Sequence, residues 1–211
     1  TDIVAVSTPL FPVRTPEAFI ELLQAQSGPA AVWRMPLFLA RHPEALRVLP
    51  VAALTLRAPE SYAMIPYYGL HAFKWIDADG GERYVRYTLA PEAPGRRLGP
   101  LEGRRRDRDF LQTEIRERVA RGPVRYRLEV QIANPGDPVD DPSRAWPKAR
   151  QRITVGALEI TGEETGREKD GDILVFDPTR MTDGIELSDD PVLRFRPQAY
   201  GESVARRTAA S

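Results

Sequence analysis

The chain has no cysteine, which excludes disulfides, thiolate-held metal centres and cysteine-based zinc sites. Histidine is nearly as scarce: His42 and His71 are the only two, so a metal site built from two or three histidines is not expected. No apolar run approaches the length of about 18 residues needed to cross a bilayer as a helix. Charge of one sign is missing as well. Thirty basic and thirty acidic residues cancel, leaving no general attraction for nucleic acid or anionic lipid, so neither a nucleic acid nor a membrane is an expected partner. The basic run Arg104-Arg105-Arg106-Asp107-Arg108 has no interleaved aromatics and precedes an amphipathic segment. It reads as a solvated helix start rather than a phosphate-binding patch. Repeats and low-complexity tracts are absent. No secretion signal is visible, but the place it would occupy is expected to be missing, so the compartment, cytoplasm or periplasm, stays open.

What is present is enough for one core: 211 residues, 42% of them hydrophobic, suffice for one domain or most of one. Residues 2–14 are extended and proline-marked, and Thr15-Pro16-Glu17 caps a helix whose apolar face is Phe19, Leu22 and Leu23. A second helix is expected near Pro43 to Val48. Leu70 to Ile76 and Arg83 to Leu89 alternate as two strands around the turn Asp77-Ala78-Asp79-Gly80-Gly81, a hairpin. Arg108 to Ala120 reads as a helix ended by Gly122-Pro123. Val124 to Ile132 and Arg152 to Ile160 alternate as two more strands, separated by a long, proline-rich loop from Asn134 to Pro147. The fold class is α+β, and four antiparallel strands make about half of a closed barrel.

The chemistry-bearing stretch is the C-terminal run Arg196-Pro197-Gln198-Ala199-Tyr200-Gly201-Glu202-Ser203, with Arg207 behind it. Arg196 and Tyr200 are four residues apart and share one face of a helix. A permanent positive charge at that distance favours phenolate over phenol. Phenolate is a hard anionic donor, and tyrosine is one of the side chains that hold haem iron. The spacing points to a proximal haem site, although Arg and Tyr four apart on a solvated helix are common in proteins without one.

From Asp177 to Arg207 the run DPTRMTDGIELSDDPVLRFRPQAYGESVARR resembles the proximal segment of the monofunctional haem catalases, especially the short catalase-related peroxidases. Arg196, Tyr200, the pair Glu202-Ser203 and Arg207 stand at that family's motif positions. Asp190 lies ten residues before the tyrosine, and His71 in Gly69-Leu70-His71-Ala72-Phe73 is similar to the family's Gly-x-His-Thr-Phe strand. Earlier in the chain, Ser7-Thr8-Pro9-Leu10-Phe11-Pro12-Val13-Arg14 resembles an Asn-Thr-Pro-x-Phe-Phe-x-Arg segment. Phe38-Leu39-Ala40-Arg41-His42-Pro43-Glu44 resembles a helix entry with Arg-Pro-Glu, and Asp141-Pro142-Ser143-Arg144-Ala145-Trp146-Pro147 resembles an Asp-Pro-x-x-x-x-Trp-Pro loop. Ser7 stands where the family carries an Asn, and Leu22 where it carries a Phe.

The resemblance implies a catalase-like closed antiparallel β-barrel with surrounding helices. Residues 1–211 would form a single haem domain lacking its N-terminal part, since the family's distal histidine lies upstream of the Thr-Pro segment. It implies haem b, with Tyr200 as the iron ligand, a proximal relay of Arg196, His71 and Asp190, and Arg207 on a propionate. Phe19 and Ser203 would lie near the haem, and Ser7 would belong to the distal pocket. From the residues alone, His71 is also readable as a core histidine, Asp190 as a turn residue and Phe19 as a core residue. The implied activity is haem-dependent reduction of hydrogen peroxide or organic peroxides with a small reducing substrate, and weak catalase activity. A non-enzymatic haem-binding module and a fatty-acid hydroperoxide isomerase are the alternatives. A homo-oligomer, or an upstream segment carried separately, is the expected partner.

Overall fold

The computed structural model describes residues 2–55, 57–164 and 174–209. The first helix, α1 (Pro16–Gln26), starts where the sequence predicts: Thr15 Oγ1 accepts from the Ala18 N–H at 3.3 Å and Pro16 occupies the first helical position. Its buried face is Pro16, Ala18, Leu22 and Ala25. Leu23, read from the sequence as core-facing, is exposed, because the small residues at 18 and 25 share the Leu22 side and draw the helix down onto that stripe.

The expected helix near Pro43 is a single 3-10 turn, Pro43–Arg47, between two helices that the apolar pattern did not reveal, α2 (Ala31–Arg41) and α3 (Leu49–Thr55). Pro36 inside α2 removes one backbone donor and breaks the usual helix signature.

The sheet has six strands: β1 (Tyr67–Tyr68), β2 (Phe73–Ile76), β3 (Glu82–Pro91), β4 (Val124–Ile132), β5 (Arg152–Ile160) and β6 (Ile185–Leu187). The spatial order is β5-β4-β3-β2-β6, all antiparallel, with β1 also pairing β3 beyond the end of β2. The β2–β3 hairpin forms as expected. Asp77 Oδ1 accepts from the N–H groups of Asp79 at 3.0 Å and Gly81 at 2.7 Å, and Gly80 takes φ +82°.

Among the described residues the expected closed barrel is not present. The sheet is open, with β5 at one edge and β6 at the other. Three of its strands run only two to four residues, so the described strands do not come round to meet.

Between β3 and β4 lie α4 (Pro100–Arg104) and α5 (Phe110–Arg121). The basic run, expected at a helix start, instead ends α4 at Arg104 and continues through exposed turn residues ahead of α5. The last helix, α6 (Pro191–Ala209), follows β6 directly. Its Leu193 joins Phe73, Val85, Tyr87 and Val130 in a buried cluster, which fixes the start of α6 against one face of the sheet. The other face is covered by the loop 134–147. There Gln131 Nε2 donates to the Pro147 carbonyl at 2.9 Å, and Trp146 Nε1 donates to the Pro138 carbonyl at 2.9 Å.

Candidate functional site

Four of the residues singled out in the sequence form one hydrogen-bonded line. Asp190 precedes α6 and is 1% exposed. Its Oδ1 accepts from the backbone N–H groups of Val192 (2.9 Å) and Leu193 (3.2 Å), capping the helix. Its Oδ2 lies 2.6 Å from His71 Nδ1. The other ring nitrogen, His71 Nε2, lies 3.0 Å from Arg196 Nε. One turn further along α6, Arg196 Nη1 lies 2.6 Å from Tyr200 Oη.

The protons in this line follow from the donor inventory. A guanidinium only donates, so His71 Nε2 must accept from Arg196, and Nδ1 must carry the ring proton and donate to Asp190. His71 is therefore a neutral imidazole with a fixed tautomer. Burial, the largest influence, pushes its pKa below the ordinary histidine value. Arg196 and Arg86 push the same way, while Asp190 pulls upward through its hydrogen bond and its charge.

Arg196 thus bridges two acceptors with two edges of one planar fork, which lysine cannot reproduce. The charge-assisted bond it gives the Tyr200 oxygen belongs to the stronger class, about 1.5–3 kcal/mol.

The remaining candidates lie around this line in different ways. Phe19 packs on Phe11, with ring centroids 4.8 Å apart, and Phe11 in turn lies 6.5 Å from the His71 ring. Phe19 therefore reaches the relay through one intervening aromatic. Ser7 is half-buried, and its backbone carbonyl accepts from Arg97 at 3.3 Å. Ser203 and Arg207 are exposed on the turns of α6 beyond Tyr200. Arg207, seven residues on, returns to the Tyr200 face.

His42 is engaged elsewhere. Its Nε2 lies 2.9 Å from Glu21 and its Nδ1 3.3 Å from Glu44, and its ring stacks on Phe38 at 4.6 Å. Glu21 is held below the usual carboxylate range, first by His42 and then by Arg41.

Sequence reading missed Arg86. It sits in β3 at 9% exposure, with its guanidinium on three backbone carbonyls and 4.5 Å from the Trp146 ring centroid. The strand pattern implied a solvated face at that position. The signal was the loop itself, since a long proline-rich connection ending in Trp146-Pro147 has apolar surface to lay against the sheet.

The donor set bears on what the site can hold. Among the described residues no three His, Asp or Glu side chains gather into a metal cage. A single half-buried tyrosine oxygen backed by a guanidinium instead suits an iron already held by a macrocycle, which would take one further ligand from the protein. The residues present fit a haem on that ground.

The comparisons with known proteins agree in direction. The chain is 49% identical over 209 residues to a catalase-related peroxidase of Mycolicibacterium paratuberculosis, covering 99% of this chain and 66% of that protein. It is 34% identical to a catalase-related peroxidase of Synechococcus elongatus, covering 96% and 61%. The chain therefore spans at most about two thirds of these curated relatives. Among solved structures a fungal catalase superposes with a TM-score of 0.82 at 23% identity, over 95% of this chain and 44% of that one, a likeness of fold. A family model described as catalase matches residues 1–211 throughout, and the chain belongs to the catalase family.

Proposed function

We propose that this chain is the haem-holding part of a peroxidase that reduces hydrogen peroxide or organic peroxides with a small reducing substrate, with weaker catalase activity. The observation that carries the reading is the 2.6 Å contact of Arg196 Nη1 with Tyr200 Oη, backed by His71 and Asp190. The names of the two relatives, both catalase-related peroxidases, support the reaction class.

In this reading Tyr200 gives up its phenolic proton and offers the iron of a b-type haem an anionic oxygen. Arg196 holds that oxygen by donating to it. His71 accepts from Arg196 and so fixes the plane of the guanidinium, and Asp190 fixes the imidazole. Arg207, on the Tyr200 face of α6, is the candidate for a haem carboxylate. Ser203 borders the ligand on the same helix, Phe11 and Phe19 keep water from His71, and Ser7 would face the peroxide side. The bound haem supplies the redox centre at which a peroxide O–O bond is split.

The test is an absorption spectrum of the chain loaded with haem b, beside that of Tyr200→Phe. The wild type is expected to bind haem and show a ferric tyrosinate band, and the variant to lose the band and most of the haem. Full haem occupancy with an unchanged spectrum in Tyr200→Phe overturns the assignment.

One observation favours the second reading, a haem holder without rapid turnover, for these residues taken by themselves. Both histidines are engaged, His71 in the relay and His42 between Glu21 and Glu44. Neither stands ready as the distal acid–base group, which contributes on the order of 10² to 10⁴ in rate. Slow peroxide consumption by the haem-loaded 211 residues supports it, and a catalase-level rate sinks it.

A further inference from the structure

We infer that the outward face of α2, built from Val32, Trp33, Pro36, Leu37 and Ala40, is the surface on which two copies of this chain pair. The inference goes beyond the proposed peroxidase reading and needs no haem.

Helix α2 has one buried residue, Phe38, which is 1% exposed and packs with Val13, Ala18, Leu22, Ala25 and Ala45. Phe38 therefore marks the inward side. At 3.6 residues per turn, Val32, Trp33, Pro36, Leu37 and Ala40 fall on the opposite side. All five are exposed, Trp33 at 81%, Val32 at 72% and Leu37 at 51%. An ordinary surface helix carries polar residues there, and a helix apolar all round is a buried one. Among the described residues nothing covers this face.

Its extent matches what a dimer needs. The five side chains leave on the order of 500 Å² of apolar surface in water, toward the upper end of the largest patch on a typical monomer. A subunit of a standard dimer gives up about 800 Å², about 65% of it apolar in homodimers, which is again roughly 500 Å².

Its shape is complementary to itself. Trp33 and Leu37 form a tall row of the i, i+4 kind, and Val32, Pro36 and Ala40 form a lower row beside it. A two-fold axis along these rows sets the tall row of each copy into the low row of the other, the ridge-into-groove packing of helices that cross at about 50°. The same axis lays the flank carrying Arg34 and Arg41 against the flank carrying Met35 and Leu39. Arginine stems then cover apolar side chains, and no two cations meet.

A lipid surface suits the face less well. Interfacial helices keep cations along a free polar side. Here the side opposite the apolar face is buried against α1, the cations lie on one flank, and Arg41 is held by Glu21 at 3.1 Å.

The test is sedimentation of the 211-residue chain across micromolar concentrations, where a dimer is expected. Trp33→Glu should weaken it by at least about 30-fold, the scale of one hot-spot residue, and Trp33→Phe should retain it. Leu54→Glu, at an exposed apolar residue of α3 outside the face, should leave the dimer intact. Circular dichroism checks the fold of each variant, and should Trp33→Glu not fold, Ala40→Glu on the neighbouring row takes its place. Vesicles of phosphatidylcholine and phosphatidylglycerol should not capture the protein. A monomeric wild type, a dimer indifferent to the charge at 33 or 40, or an equal loss in Leu54→Glu overturns the inference. A monomer that binds the vesicles through Trp33 also overturns it and makes lipid the occupant. So does a longer form of the chain that is monomeric with Trp33 shielded from a soluble quencher, which gives the face to the added segment. None of these outcomes touches the Tyr200→Phe spectrum.

Discussion

His71 and Asp190, 119 residues apart in the chain, meet across 2.6 Å between Nδ1 and Oδ2. The same carboxylate caps α6 through its other oxygen. One side chain thus sets both where the last helix begins and which way the imidazole points.

Asp190→Ala removes both roles. The lost cap costs about 1 kcal/mol, and the stranded His71 donor adds about 1–3 kcal/mol, so a loss of roughly 2–4 kcal/mol is expected in chemical denaturation. Asp190→Asn keeps one oxygen for the cap but turns its amide donor toward the His71 N–H, so it too should lose stability. Wild-type stability in either variant would remove Asp190 from the account.

Acid should weaken the fold through His71. Its folded pKa is lowered by burial, so below the unfolded value of about 6.5 the unfolded chain binds a proton that the folded chain does not. Stability from this group is then constant above about pH 6.5 and falls as pH drops toward the folded pKa, by at most about 1.4 kcal/mol per pH unit. In urea melts at stepped pH, His71→Gln is expected to flatten the slope in that window. An unchanged slope would mean that His71 titrates alike in both states.

Arg196→Leu withdraws the donor from Tyr200 Oη. A charge-assisted bond of about 1.5–3 kcal/mol corresponds to haem binding roughly 10- to 150-fold weaker, measurable by spectrophotometric haem titration. Arg196→Lys should recover only part, because one ammonium cannot serve His71 and Tyr200 from two edges. Wild-type affinity in Arg196→Leu would remove the arginine from the account.

The site was legible where its spacing is local or its motif short. Arg196 and Tyr200 sit one helical turn apart, and His71 and Asp190 stand in recognisable short runs that the fold brings together. The hairpin at Asp77 to Gly81 was legible because a turn with glycine at a positive φ leaves few alternatives. Arg86 was not, because alternation in β3 assigns it to water, and only the packing of loop 134–147 makes that face dry. The helix α2 was hidden by Pro36, and the outward turn of Leu23 followed from small residues that a count of large apolar ones ignores. The open sheet reflects short strands at β1, β2 and β6, whose lengths no periodicity fixes.

The line from Asp190 to Tyr200 has an order in time. His71 leaves the ribosome 125 residues before Arg196, which at about 5–20 residues per second is roughly 6–25 s. During nearly all of that interval the imidazole has neither its acid nor its arginine, while strands β2 to β5 are made. Tyr200 emerges last of the four. The complete line is therefore available only after synthesis of nearly all of these residues, and a chain stopped ahead of Asp190 and α6 would carry His71 without its acid, its arginine or the tyrosine.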